Sequence, residues 1–273
     1  MTAARGGRSI GELVVVIPAR DEEELIGRCL DSVVAASVGV EVPVLVVVVA
    51  DGCLDATVDV ARRFDGVAVV EIDSSNVGNA RAAGVRSALT RTTRDAAEVW
   101  LANTDADSIV PENWLREQVR LANQEVDVMV GTVRPDFDDL SADQVRAWVA
   151  GHTPGEPNGH VHGANLGIRA STYLAAGGYE ALPEHEDVEL VSRLRRSGRL
   201  LASDRCEVVT SGRRFGRTPG GYARYLRDDL IPRADPIPRA GLVPRTATAN
   251  AGASSRTATG PRSASGPTGI QPL

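Results

Sequence analysis

Two apolar runs constrain the fold more than any other feature. Residues 13–17 read LVVVI and residues 42–50 read VPVLVVVVA, with no polar residue alternating between the aliphatic ones. A strand that is apolar at every position must bury both of its faces. That is the condition of a parallel sheet covered by helices, not of a half-exposed antiparallel sheet.

The stretches between such runs have helical spacing. PARDEEELIGRCLDSVVAAS follows the first run, and its Leu25, Ile26, Cys29, Leu30, Val33 and Val34 recur at intervals that define one helix face. Three acidic residues ahead of them suit a first turn. ATVDVARRF (56–64) reads as the next helix, with Asp55 as its N-cap. VAVVEI (67–72) and EVWLAN (98–103) read as strands, and GNARAAGVRSALTR (78–91) and PENWLREQVRLANQ (111–124) as helices, the latter with Pro111 at its start. Strands alternating with helices predict βαβ units, an α/β fold with helices on both faces of a mostly parallel central sheet.

The pattern changes after residue 125. VDVMVGTVR (126–134) predicts a strand, 141–150 a helix, and GHTPGEPNGHVHG (151–163) a long loop. ANLGIRAS reads as a strand entering a helix, and EDVELVSRLRRSG as a helix with a glycine stop. LLAS and CEVVTS read as two last strands and PGGYARYLRDDL as a last helix. The expected organisation is a flexible N-terminus over 1–12, one half-domain over 13–125, a second over 126–232, and a disordered tail over 234–273.

Net charge is −6, and all 30 basic residues are arginine. The 234–273 segment holds four arginines and one aspartate, so the rest of the chain carries −9. Such a body is not a general nucleic-acid binder, and an anionic ligand would need a metal or a few placed arginines. The 3 cysteines have no Cys-x-x-Cys spacing, which argues against a disulfide framework or zinc site and suits a reducing cytosol. No apolar run approaches the length of a spanning helix. A cytoplasmic protein is expected, with membrane contact at most peripheral at the inner face. Oligomeric state is not readable.

In an open parallel sheet, ligands bind beyond the carboxyl ends of the strands. Arg20, Asp21 and Glu22 follow the first strand, Asp51 the second, Asp73, Ser74 and Asn76 the third, and Asp105 and Asp107 the fourth. There is no Gly-x-Gly-x-x-Gly and no Gly-Lys-Ser/Thr loop. Asp105 and Asp107 lie at i and i+2, on one side of an extended segment, with no arginine beside them in the sequence. Two such carboxylates suit a hard divalent cation, Mn²⁺ or Mg²⁺, able to bridge to a diphosphate. Read alone, Asp107 could equally serve the start of the next helix.

Five segments in order, VVVIPARDEEELIGRCLDSV, VVVVADGCLDAT, NVGNARAAGVR, NTDADS, and GANLGIRASTYLAAGGYE with EDVELVSRL, resemble the family 2 glycosyltransferases. The resemblance spans about residues 13 to 230. It implies a glycosyltransferase-A-like fold and a metal-dependent transfer of sugar from a nucleotide-diphosphate sugar, a UDP-sugar favoured. The acceptor is an unidentified small molecule, lipid or polysaccharide, and the expected stereochemistry is inversion. The residues it implicates are these. Pro18, Ala19, Arg20 and Glu22 stand for the family's Pro-x-x-Asn-Glu, which contacts nucleobase and ribose. Asp51 matches a base-contacting aspartate, with Ala50 and Cys53 departing from the family's Asp-Asp-Gly-Ser. Arg81 matches a basic residue reaching toward the nucleotide. Asp105 and Asp107 match the metal-binding Asp-x-Asp, with Ala106 beside the donor. Asp187 matches the catalytic base, with Glu186 orienting a loop or touching the acceptor. Gly163, Ala164 and Asn165 match an acceptor-side segment, and Arg213, Arg214 and Arg217 loosely match arginines near the diphosphate.

Two rivals are weighed against this. A sugar nucleotidyltransferase would carry a glycine-rich loop after strand one, and PARDEEE has none. A degenerate binding or scaffold subunit is compatible with Ala50 and Cys53, while the retained Asp105, Asp107 and Asp187 argue against it. His160 and His162, Trp148, Tyr222 and Tyr225 read as loop or packing residues.

Overall fold

Valine-rich β1 (Glu12–Ala19) sits within the sheet because it is apolar on both sides. Leu13, Val15 and Ile17 pack into one core, and Val14 and Val16 into the opposite one. Each fully buried aliphatic side chain contributes roughly 1.5–3 kcal/mol, so a strand buried twice over strongly favours an interior position. The computed structural model describes residues 9–231 other than 154, 155, 158, 183 and 219. The expected tail over 234–273 lies outside the described residues. So do residues 1–8 of the expected flexible N-terminus, but its end is ordered. Ile10 is buried, and its N–H donates to Asn123 Oδ1 at 2.8 Å.

β2 (Val44–Asp51), β3 (Val67–Ile72) and β4 (Val99–Asn103) join β1 in parallel ladders. β5 (Ser108–Ile109), β6 (Val128–Pro135), β7 (Leu166–Arg169) and β8 (Leu200–Thr210) complete one eight-stranded sheet of order β3-β2-β1-β4-β7-β6-β8-β5. β7 is antiparallel to both β4 and β6, β8 is parallel to β6, and β5 is antiparallel to β8.

The helices are α1 (Ile26–Ser37), α2 (Thr57–Ala61), α3 (Val77–Leu89), α4 (Trp114–Ala122), α5 (Ala142–Ala150), α6 (Ala170–Ala175), α7 (Glu186–Leu194) and the short α8 (Tyr222–Arg224). Residues of α1, α2 and α4 pack with one sheet face, and those of α3, α6 and α7 with the other. α3 lies close on the sheet. A Cβ at Gly84 would stand 2.6 Å from Val16 Cγ1 and 2.9 Å from Val49 Cγ2. Among the described residues, no helix is long and apolar enough to cross a membrane.

Several boundaries differ from expectation. α1 starts at Ile26, not in the acidic stretch. Asp21 adopts φ 51°, and the Glu22 carbonyl closes a turn by accepting from the Leu25 and Ile26 N–H groups. Asp55 accepts from the Thr57 N–H at 2.9 Å but stands one residue ahead of the cap position. LLAS and CEVVTS form one strand, not two. The register with β6 jumps from Gly131↔Ser203 to Val133↔Val208, so the polar residues between are absorbed in a bulge. The last helix is short and passes into a π turn over Tyr225–Asp229. Trp148 packs with Leu226 and Leu230 in a third, small core, as its helical spacing suggested.

Candidate active site

The carboxyl ends of β1, β2, β3 and β4 open on one edge of the sheet, and the polar residues that follow them converge there. Asp51, at the end of β2, is buried and accepts four hydrogen bonds. They come from Ser74 N (2.6 Å), Ser75 N (2.9 Å), Asn76 N (2.9 Å) and Ser74 Oγ (2.9 Å). Burial alone would raise its pKa, but these donors outweigh burial and hold it below the usual carboxylate range. An ionised carboxylate offers about four acceptor positions, and in this structure the 74–76 loop occupies those of Asp51. Asp51 shapes the 74–76 loop, and Asn76 then caps α3 through Asn79 N (2.9 Å) and reaches Leu182 O (2.9 Å).

Asp105 is not free of arginine, as its sequence neighbours suggested. Arg81 of α3 donates from Nη2 to Asp105 Oδ1 at 2.5 Å and from Nε to Glu186 Oε1 at 3.3 Å. Arg81 is itself only 2 % exposed. Glu186 and Asp187 open α7. Gly163 N donates to Asp187 Oδ2 at 2.6 Å, and Val188 N to Oδ1 at 2.7 Å. Burial raises the pKa of both Glu186 and Asp187, while Arg81 opposes it. One buried guanidinium therefore joins the expected metal carboxylate to the expected base pair.

Asp107 faces the other way. Arg213, just past β8, lies 2.7 Å from Asp107 Oδ2 and forks onto Glu22 at 2.9 and 2.8 Å. Thr210 Oγ1 donates to Asp107 Oδ1 at 3.3 Å. Withdrawal from water pushes Asp107 up to about 6 despite Arg213, with Asp105 and Glu22 adding to the rise. Arg217 continues the strap by donating from Nε to Arg20 O at 3.1 Å and also to Asp21 O. Gly212 N donates to Asp139 Oδ2 at 2.8 Å and Gly220 N to Glu184 Oε1 at 2.8 Å. Beside the strap lies a cavity of about 550 Å³ whose walls include Glu22, Glu24, Asp107, Asp136, Asp139 and Arg213.

Glu22, Asp105, Asp107, Glu186 and Asp187 are five carboxylates, and the guanidinium groups of Arg81, Arg213 and Arg217 pair directly with them. Burial raises the pKa of Asp107 most, and the neighbouring Asp105 and Glu22 add to the rise. Hard oxygen donors in excess fit a divalent cation. Among the described residues, the three-ligand group whose donor atoms already converge is Asp21, Cys53 and Asp55. Asp105 and Asp107 are turned to their arginines instead.

The remaining expectations separate into surface and core. Pro18 and Ala19 end β1, with the Ala19 side chain in the core, and Arg20 is exposed. Ala106 is 2 % exposed, so only its backbone is available to a ligand. Asn165, expected on the acceptor side, lies inside the core. It is fully buried, accepts from Trp114 Nε1 at 2.9 Å, and donates to Thr132 O at 2.9 Å and Cys206 O at 2.8 Å. Ala164 is also core, which leaves Gly163 on the site side of that segment. Cys53 lies 3.5 Å from Ala19 O, and burial raises its pKa, so it is not an activated thiol. His162 meets Tyr222 edge-on, and burial depresses its pKa to about 4. Sequence reading missed the pairing of Glu22 with Arg213 and the place of Tyr179, whose ring centroid is 6.0 Å from Arg81 Cζ. The buried, charged residue types were the available signal, but not their partners.

A family model described as glycosyl transferase family 2 matches residues 14–172. No curated protein sequence matches the chain. Among solved structures it is similar to TarS of S. aureus in complex with UDP-GlcNAc, with a TM-score of 0.59, 14 % identity, 77 % of this chain and 61 % of that chain covered. It is similar to the mannosyltransferase PcManGT from Pyrobaculum calidifontis in complex with GDP-Man and Mn²⁺, with a TM-score of 0.54, 22 % identity and coverage of 75 % and 58 %. GalNAc-T7 with UDP, GalNAc and Mn²⁺ gives a TM-score of 0.54, 16 % identity and coverage of 74 % and 44 %. At these identities the likeness is one of fold, and the chain spans less than two thirds of each of those chains.

Proposed function

The chain belongs to glycosyl transferase family 2, and from that premise we propose that it transfers a sugar from a nucleotide-diphosphate sugar to an acceptor hydroxyl, with inversion. A UDP-sugar is the favoured donor. One observation carries the reading. At the carboxyl edge of the sheet Asp105 shares one charge network with Glu186 and Asp187 through Arg81, and Asp107, two residues on, is held by Arg213. Relatives of this fold have been solved with UDP-GlcNAc and with GDP-Man and Mn²⁺, which supports a nucleotide-sugar donor.

Asp105 and Asp107 would hold the divalent cation, Mn²⁺ or Mg²⁺, which when bound offsets the charge that builds on the departing diphosphate. Asp187 takes the proton of the acceptor hydroxyl. Its Oδ2 is aimed by the Gly163 N–H, and burial makes it a better proton acceptor than a solvated aspartate. The acceptor oxygen bonds to the anomeric carbon as the bond to the diphosphate oxygen breaks. The electron pair leaves with the diphosphate, and the proton stays on Asp187. Glu186 is turned to Arg81, which keeps the two neighbouring carboxylates from competing for one position.

A thermal-shift panel of UDP, GDP, TDP and CDP, each with and without Mn²⁺, tests the donor half of this reading. A nucleotide that binds the folded chain must raise the midpoint by mass action. A metal-dependent rise with UDP is expected. No rise with any of the four would overturn the proposal.

A further inference from the structure

Arg81 is enclosed on every side the structure describes. Its Nη2 holds Asp105 at 2.5 Å, its Nε holds Glu186 at 3.3 Å, and the Tyr179 ring lies against its Cζ at 6.0 Å. Gly163 closes the remaining approach. A Cβ there would stand 2.4 Å from Nη2 and 2.9 Å from Cζ. The same Gly163 carries the N–H that binds Asp187 at 2.6 Å. The guanidinium thus lies directly beneath the backbone that aims the base, and a side chain 2 % exposed has no room to swing out to a solvated phosphate.

We infer that Arg81 is a positioning residue for the base pair Glu186–Asp187, tying it to Asp105, and not a ligand of the nucleotide. This rests on the transferase reading only in naming Asp187 as the base. The charges decide it. Asp187 is faced by Glu186 on its own helix, by Arg81 from α3, by Asp105 from the segment after β4, by the Tyr179 hydroxyl side, and by the N–H groups of Gly163 and Val188. Arg81 is the cation in that set. Without it, Glu186 and Asp187, both withdrawn from water, repel each other, and one of them takes up a proton. The base is then lost even where nucleotide still binds. Arg81 Nη1 is buried and has no hydrogen-bond partner among the described residues, so it is the one donor left for the rival role of phosphate ligand.

The test is a ¹³C carboxyl NMR titration of the full chain, with the Asp187 resonance assigned from Asp187→Asn. Arg81→Gln is expected to raise the Asp187 midpoint by about one pH unit or more. Arg81→Lys keeps the charge and should stay nearer to wild type. Gly163→Ala pushes the guanidinium aside without removing it and should move Asp187 in the same direction, which decides the matter if Arg81→Gln does not fold. An unmoved Asp187 midpoint in Arg81→Gln and Gly163→Ala overturns the inference. So does an unmoved midpoint with UDP affinity down about tenfold, which would make Arg81 a phosphate ligand. If wild type binds no nucleotide at all, the transferase reading fails, while the titration still decides the role of Arg81.

Discussion

Asp105 and Asp107 are two residues apart and are neutralised from opposite sides of the molecule. Asp105 is gripped by Arg81, which is buried in the first half of the chain and shared with Glu186. Asp107 is gripped by Arg213, which comes from the strap after β8 and is 27 % exposed on its side chain. In the first pairing the guanidinium is the buried partner, 2 % exposed against 35 % for Asp105, so removing the carboxylate strands a charge in the interior. In the second the carboxylate is the more buried partner, 14 % exposed, and the latch cation Arg213 reaches solvent. One motif thus contains a carboxylate that holds a buried cation and a carboxylate held by a partly exposed one.

The comparison is broken most sharply by Asp107→Asn. Metal-dependent turnover of the donor should fall about a thousandfold, the scale of losing one main transition-state stabiliser, while the midpoint of thermal unfolding stays level or rises. An active Asp107→Asn protein with unchanged metal dependence removes Asp107 from the site. Asp105→Asn should do the reverse in stability. It leaves Arg81 buried with Glu186 as its remaining ion-pair partner, at a cost of about 2–3 kcal/mol in urea denaturation at neutral pH. Equal stability of the two variants would erase the distinction drawn above.

Titration sharpens it further. The folded pKa of Asp107, about 6, lies above the ordinary 3.8. The unfolded chain therefore releases this proton first, and the stability Asp107 contributes is full below about 3.8 and lost as pH rises through about 6. The stability difference between metal-free wild type and Asp107→Asn should change by about 1–3 kcal/mol across that window, and a flat difference would contradict the raised pKa. The smallest effect is expected for Arg213→Gln. With the latch cation gone, Mn²⁺ should bind the nucleotide-free protein more tightly, about tenfold by a paramagnetic titration. Weaker Mn²⁺ binding would mean that Arg213 supports the cation and does not compete with it.

The fold was legible where burial is symmetric. β1, β2 and β4 announce themselves because both faces are apolar, and the helices between them because their apolar positions share one side. β8 was misread because Asp204 and Arg205 look like a break, whereas a bulge lets the strand continue past them. The site was legible as residue types at strand ends and not as pairs. Arg81 and Asp105 are 24 positions apart, and Arg213 and Glu22 are 191 apart, so neither pairing leaves a local trace. Asn165 shows the same gap. A polar residue beside two small ones looks like a ligand contact until its partners on α4, β6 and β8 are known.

The two ends of the latch also set an order of assembly. β5, which follows Asp107 directly, has β8 as its ladder partner. Glu22 waits for Arg213, which lies 191 residues later. A chain emerging from the ribosome can pair β1, β2, β3 and β4 early, since domains take shape from the N-terminal side as they are made. The Arg81 side of the site draws on Glu186 before synthesis ends, but the Asp107 side cannot close until the last strand has been delivered. The Asp107 half of the candidate site is therefore the later of the two to form, and a chain stopped short of β8 would keep its valine core and lack the Arg213 latch.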